Sequence, residues 1–126
     1  MTNNDIVLQA MTQLFQKRDL SAIERFWDEH DYIQHNPHIP TGHDALRAIV
    51  SGLAPGFSYE PGMVTGEGDI VMIHGRYVGW ALKPMVAVDI FRVKNGKLVE
   101  HWDVMQEEVP ANATKSGNPM FTVPRK

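Results

Sequence analysis

Val88-Asp89-Ile90-Phe91-Arg92-Val93-Lys94-Asn95-Gly96-Lys97-Leu98-Val99-Glu100-His101-Trp102-Asp103-Val104-Met105 consists of two alternating apolar and polar runs joined by Asn95-Gly96. A period of two marks half-buried strands, and Asn-Gly between two such runs is a strong hairpin signal. The register decides which side chains share a face. With a two-residue loop, Lys94 faces Lys97, Asp89 faces Trp102, and His101 and Asp103 lie on the opposite face from Asp89. With a three-residue loop and Gly96 at a left-handed bulge position, Asp89 faces His101 and Asp103 follows on the same face. The second register avoids opposing two lysines and is the one expected. It gathers Asp89, His101 and Asp103 with Ala87, Phe91, Val99 and Met105 on one concave wall. It sends Val88, Ile90, Leu98, Trp102 and Val104 to the other face.

Upstream of the hairpin, the period of two begins near Phe57. Strands are expected at residues 57–65, 69–81, 85–94 and 97–107, with turns at Glu67-Gly68-Asp69 and Leu82-Lys83-Pro84. Before Phe57 the spacing is helical. Val7, Met11 and Leu14 form one stripe of a helix over residues 5–17, capped by Asn3 or Asn4. A second helix begins near Asp19 or Ser21 and carries Leu20, Ile23, Phe26 and Trp27. A third covers about 42–53, capped by Thr41, with Leu46, Ile49, Val50 and Leu53 inward. Three helices followed by an antiparallel meander give an α+β fold, with the helices on one face of the sheet. Residues 1–126 read as a single domain with an extended arm at about 110–126, and Met120-Phe121 in that arm suggests docking.

The 126 residues and 14.2 kDa suit one domain. Scaling for this mass gives roughly 6,800 Å² exposed when folded against roughly 20,600 Å² unfolded, a core large enough to hollow out a pocket. The net charge of −3 and scattered lysines and arginines argue against nucleic acid and against an anionic membrane. With no cysteine, disulfides, thiolate nucleophiles and cysteine metal sites are excluded. Residues 1–5 lack the basic start of a signal peptide, and no apolar run approaches the ~18 residues of a membrane span. A cytoplasmic location is expected.

Ionisable groups among apolar neighbours are what general acid/base catalysis needs, because burial and mutual charge tune proton affinity. Asp89, His101 and Asp103 are the leading catalytic candidates. Each has a bland alternative: Asp89 paired with Arg76 on the next strand, and His101 and Asp103 solvated on a half-buried sheet. Tyr32-Ile33-Gln34-His35-Asn36-Pro37 adds side chains able to orient a carbonyl or hydroxyl; His35 joins the catalytic set, and Tyr32 and Asn36 the substrate-binding set. His35, His38 and His43 fall within nine positions, but the spacing matches no metal motif, and no metal is expected. His74 and Arg76 share one side of their strand and are candidate pocket residues, as is Phe91. Trp27, Trp80 and Trp102 are more often core than ligand platforms; Trp27 is nonetheless placed with the substrate-binding residues.

Taken together, Tyr32-Ile33-Gln34-His35-Asn36-Pro37, His74-Gly75-Arg76, Asp89-Ile90-Phe91-Arg92, Asn95 through Val104, and Gly117-Asn118-Pro119-Met120-Phe121 resemble the SnoaL-like polyketide cyclase group of the NTF2-like superfamily. The resemblance implies a cone of helices on a curved antiparallel sheet and a homodimer through that sheet. It also implies a cofactor-independent aldol condensation with Asp103 as acid/base. The cyclases carry a histidine on the preceding strand where this chain has Asp89. Three readings follow. In the first, an acid/base enzyme acts on a small carbonyl compound by cyclisation or isomerisation, with Asp103 as base, His101 and His35 positioning oxygens, and Asp89 tuning the proton balance. In the second, an epoxide hydrolase of the same fold has Arg76 bridging Asp89 and Asp103. In the third, a non-catalytic dimeric module binds a small molecule.

Overall fold

In a computed structural model that describes residues 1–124, five strands form one mixed sheet. They are β1 (Ile33–Gln34), β2 (Ser58–Glu67), β3 (Ile70–Val78), β4 (Met85–Lys94) and β5 (Lys97–Glu107), in the spatial order β1-β5-β4-β3-β2. Strands β2 to β5 run antiparallel as the alternation predicts. The short β1, whose two residues leave no periodic trace in the sequence, adds a parallel edge beside β5. The sheet is therefore mixed rather than wholly antiparallel.

Helix α1 (Asn3–Met11) continues into a π-helical turn (Thr12–Gln16), followed by α2 (Ser21–Phe26) and, after β1, α3 (His43–Ser51). Thr2 caps α1 in place of Asn3 or Asn4: its Oγ1 accepts from the Asp5 amide at 3.1 Å, and the Asp5 carboxylate accepts from the Thr2 amide at 3.0 Å. Thr41 does not cap α3. Gly42 holds that position at φ +116°, a conformation few side chains tolerate. The Thr41 hydroxyl instead accepts from the Gln34 amide at 3.2 Å and ties β1 to the approach to α3.

One face of the sheet packs on the helices. Val7, Ala10, Met11, Leu14, Ala22 and Ile23 meet Val71, Ile73, Phe91, Val93 and Leu98, all essentially buried. The π-helical turn inserts an extra residue between Met11 and Phe15, both of which reach the candidate site described below. No helix among the described residues is long and apolar enough to cross a membrane.

The hairpin register differs from the expected one. Asn95 (φ +52°) and Gly96 (φ +76°) form a two-residue turn with both residues left-handed, and Lys94 faces Lys97. This turn matches the right-handed twist of the strands. The lysine conflict is relieved because Lys97 Nζ folds back onto the carbonyl oxygens of Glu24 and Arg25 at the end of α2, at 2.8 and 2.6 Å. The register then slips by one: Val93 pairs with Leu98 and Arg92 with Glu100, so Val99 is an extra residue. Asp89 therefore lies opposite Asp103, not His101, and Phe91 lies opposite His101. The bulge also turns Leu98 into the core, away from the apolar outer face assigned to it. Asp89, His101 and Asp103 still share the inner face, placed there by a bulge after the turn instead of by a longer turn.

Past β5 the chain turns back across the outer face of the sheet. Glu108 pairs with Arg76 at 2.8 Å through both carboxylate oxygens. Phe121 lies against His74, with ring centroids 5.3 Å apart. Gly62 makes room for it, since a Cβ there would meet the Phe121 ring at 2.7 Å. Of the arm expected over 110–126, Arg125 and Lys126 lie outside the described residues.

Candidate functional site

Between the inner face and the helices lies a cavity of about 40 Å³, lined at its apolar end by residues such as Met11, Phe15, Leu46, Ile49 and Trp80. Its polar end is built from four segments. β4 supplies Asp89, β5 supplies His101 and Asp103, β1 supplies Gln34, and the chain between α2 and β1 supplies Trp27 and Tyr32. The segment from Trp27 to His35 is laced to β5 at two points. The Asp28 amide donates to the Leu98 carbonyl at 2.9 Å, and the His35 amide donates to the His101 carbonyl at 2.9 Å. This lacing brings residues distant in sequence against Asp89 and Asp103.

The polar groups form a chain of short contacts. The Tyr77 hydroxyl donates to one oxygen of Asp89 at 2.6 Å, and the other Asp89 oxygen lies 2.7 Å from His101 Nε2. His101 Nδ1 lies 2.6 Å from Gln34 Oε1. Asp103 accepts from the Asn36 side-chain amide at 2.7 Å, with the same oxygen 3.8 Å from His101 Nε2. Among the described residues nothing donates to the second oxygen of Asp103. Asp89 and His101 are 4% and 6% exposed, so each depends on the other for what water would otherwise supply.

Burial drives the Tyr77 hydroxyl far above the ordinary tyrosine range, and the Asp89 charge reinforces the shift. Tyr32 is raised by burial too, with the Asp89 and Asp103 charges adding to it. Both remain O–H donors across the range in which a protein functions. Tyr32 accepts from Gln34 Nε2 at 3.3 Å. Trp27 Nε1 lies close enough to the Tyr32 hydroxyl to favour its ionised form, yet its hydrogen bond is not completed and the atom is buried without a partner.

Asp89, His101 and Asp103 are also a group whose ligand-type atoms fall within 4.8 Å of one another, the spacing a cation could use. The 2.7 Å contact between His101 and Asp89 is a hydrogen-bond distance, shorter than the separation of about 3 Å between two ligands at right angles on one ion.

Several residues expected at the site lie elsewhere. His35 is on the outer face, stacked on Trp102 at 5.0 Å and bonded to Glu100 at 2.7 Å. The hydrogen bond from His35 is the largest influence holding the Glu100 carboxyl below its usual range; burial opposes it and Arg92 adds to it. His74 and Arg76 are on the outer face as well, His74 under Phe121 and Arg76 paired with Glu108. Val71, Ile73 and Tyr77 form the more apolar side of β3, and that side takes the core. His38 is exposed, and His43 Nε2 meets the Trp27 carbonyl at 2.9 Å, so the three loop histidines do not converge. Tyr32, Asn36, Phe91 and Trp27 do gather at the cavity or on Asp103. Gln34 was not among the expected site residues. Once residues 32–36 are read as extended chain, period two puts Tyr32, Gln34 and Asn36 on one side and Ile33 and His35 on the other.

Solved structures of the same shape include a candidate polyketide cyclase from Bacillus cereus ATCC 10987, with TM-score 0.70 and 21% identity over 82% of this chain and 74% of that one. IdmH, a candidate polyketide cyclase from Streptomyces antibioticus, gives TM-score 0.66 and 17% identity over 83% and 92%. An NTF2-like protein of unknown function from Cytophaga hutchinsonii ATCC 33406 gives 0.70 and 16% over 84% and 91%. At these identities the likeness is one of fold, and it is the NTF2-like α+β fold. No curated protein matches the sequence. The SnoaL-like domain matches residues 8–101, a span that begins within α1 and takes in α2, α3, β1 to β4 and the bulged start of β5. With that span matched, the chain belongs to the SnoaL-like domain family.

Proposed function

We propose that this protein is an acid/base enzyme acting on a small carbonyl compound, with Asp103 as the base. The observation that carries this reading is the state of Asp103: one oxygen is fixed by Asn36 and the other is free at the polar end of an apolar cavity. A carboxylate so held is oriented toward a ligand and not consumed by the protein's own hydrogen bonds. Asp103 takes a proton from the carbon beside the carbonyl, and the electron pair moves onto the carbonyl oxygen. The Trp27 N–H and the Tyr32 O–H are the donors available to that oxygen. Return of the proton to another carbon gives isomerisation; attack of the carbanion on a second carbonyl gives an aldol product.

Epoxide hydrolysis has less support, because the cation it needs between the carboxylates is absent: Arg76 is paired with Glu108 on the far side of the sheet. A pure binding module would tie up both oxygens of each carboxylate, and here one oxygen of Asp103 has no donor among the described residues. The 40 Å³ cavity is about large enough for one water. It adjoins a groove of about 330 Å³ that shares Ile39, Ile49, Trp80 and Met105 with it. A substrate therefore enters from this groove by displacing those side chains. The test is turnover of a panel of carbonyl and epoxide compounds by the parent and by Asp103→Asn, without added metal or nicotinamide.

The reading includes a homodimer through the sheet. Val104 is 69% exposed and Ile33 50% exposed on the outer face, flanking the half-buried Trp102 and Ile90. An isologous contact covers such a patch on both copies. The parent is expected to sediment as a dimer at micromolar concentration, and Val104→Glu as a folded monomer. A monomeric parent rejects the dimer.

A further inference from the structure

Gln34 meets three partners at once. Its Oε1 lies 3.0 Å from the Asn36 amide nitrogen and 2.6 Å from His101 Nδ1, while its Nε2 lies 3.3 Å from the Tyr32 hydroxyl. A side-chain amide can be turned end for end, and only its partners tell oxygen from nitrogen. Here one partner is a backbone N–H, which can only donate. The atom facing Asn36 is therefore the oxygen. A carbonyl oxygen only accepts, so the contact with His101 requires a proton on Nδ1. The backbone keeps Gln34 in register: Gln34 pairs with His101 in the parallel ladder, and its amide donates to Thr41.

We infer that Gln34 is a positioning residue that holds the proton of His101 on Nδ1 and thereby turns Nε2 toward the two carboxylates. With Nδ1 committed to Gln34, Nε2 is a lone pair in the neutral ring and an N–H in the charged ring. In both cases the 2.7 Å contact with Asp89 contains one proton, which belongs to the pair and not to either residue. Tyr77 donates to the other oxygen of Asp89 and leaves that proton in place. Asp103, 3.8 Å from Nε2, has no share in it and is left with an oxygen free to accept a proton. Gln34 thus keeps a protonated pair beside a carboxyl group whose second oxygen has no donor among the described residues. This deepens the acid/base reading and rests on it for the effect on rate, but the placement of the proton does not.

The test reads the imidazole nitrogens of ¹⁵N-histidine-labelled protein by NMR at neutral pH, with no substrate present. In the parent, His101 Nδ1 is expected to carry a proton. In Gln34→Leu, which removes the acceptor, Nδ1 is expected to lose it. In Gln34→Glu, which restores an acceptor oxygen, Nδ1 is expected to regain it. Backbone amide spectra check the fold. If Gln34→Leu does not fold, Gln34→Met carries the same comparison, and the parent spectrum alone decides where the proton sits. An unprotonated Nδ1 in the parent overturns the inference, and so does an Nδ1 proton that survives Gln34→Leu. Once a substrate is known, Gln34→Leu should lower kcat at least about tenfold with little change in KM, and Gln34→Glu should recover part of the loss. A correct proton placement with no turnover by the parent would reject the enzyme reading and leave the role of Gln34 standing.

Discussion

Asp103→Asn is expected to fold, to bind ligand and to lose about 10²–10⁴-fold in kcat, the usual contribution of a positioned general base. The amide keeps the size of the side chain, and its oxygen can still accept from Asn36. It removes only the ability to take a proton. Stability should hold or rise. Asp103 stands directly opposite Asp89 in the ladder. Each has donors of its own, Asp89 from Tyr77 and Asp103 from Asn36, so what the neutral amide relieves is a mostly buried charge. The measurements are steady-state kinetics on the best compound of the panel and a denaturant melt. Parent-like turnover by Asp103→Asn would sink the acid/base reading and put the binding module first.

Phe91→Ala is expected to cost about 3–5 kcal/mol, the range for truncating a buried aromatic ring. Phe91 is 2% exposed, at the centre of β4, and its ring lies 4.7 Å from that of His101. It packs against the helices and also forms part of the cavity wall. The loss should register as a lower denaturation midpoint with the slope unchanged. Against a total stability of about 5–15 kcal/mol, the variant is expected to remain folded but marginal. Its activity should fall as well, because the ring that limits His101 on one side is gone. A midpoint shift corresponding to less than about 1 kcal/mol would mean that the surrounding residues close over the space, and that Phe91 does not brace the site.

These two residues mark what the sequence made legible. The alternation over residues 88–105 and the Asn-Gly turn led to a hairpin, and clustering of Asp89, His101 and Asp103 on one face was the correct outcome. The register that produces it is set by turn twist and not by repulsion between Lys94 and Lys97. Exposed charges interact weakly in water, and Lys97 found the carbonyl end of α2, a tertiary partner that no local pattern announces. The same limit hid β1. Two residues carry no periodicity, so the side chains of Gln34 and His35 could not be sorted until a strand was seen beside them. For β3 the alternation shows two sides, and the inward one follows from comparing Val71, Ile73 and Tyr77 with Met72, His74 and Arg76. Apolar content, rather than chemical interest, decides which side of a strand is buried.

Val99 has a consequence for how such proteins can change. It is the one unmatched residue in the two strands of the hairpin, so its loss would leave every other residue opposite the partner it already has: Leu98 against Val93, Glu100 against Arg92, His101 against Phe91 and Asp103 against Asp89. The ladder would close without the bulge, and both ionisable groups would keep their face. Removal of Trp102 acts otherwise. It makes His101 and Asp103 consecutive, and consecutive residues of a strand point to opposite faces. Two relatives that differ by a gap at Val99 should be expected to share shape and site alike, whereas a gap at Trp102 would leave a recognisable sheet and part the two groups.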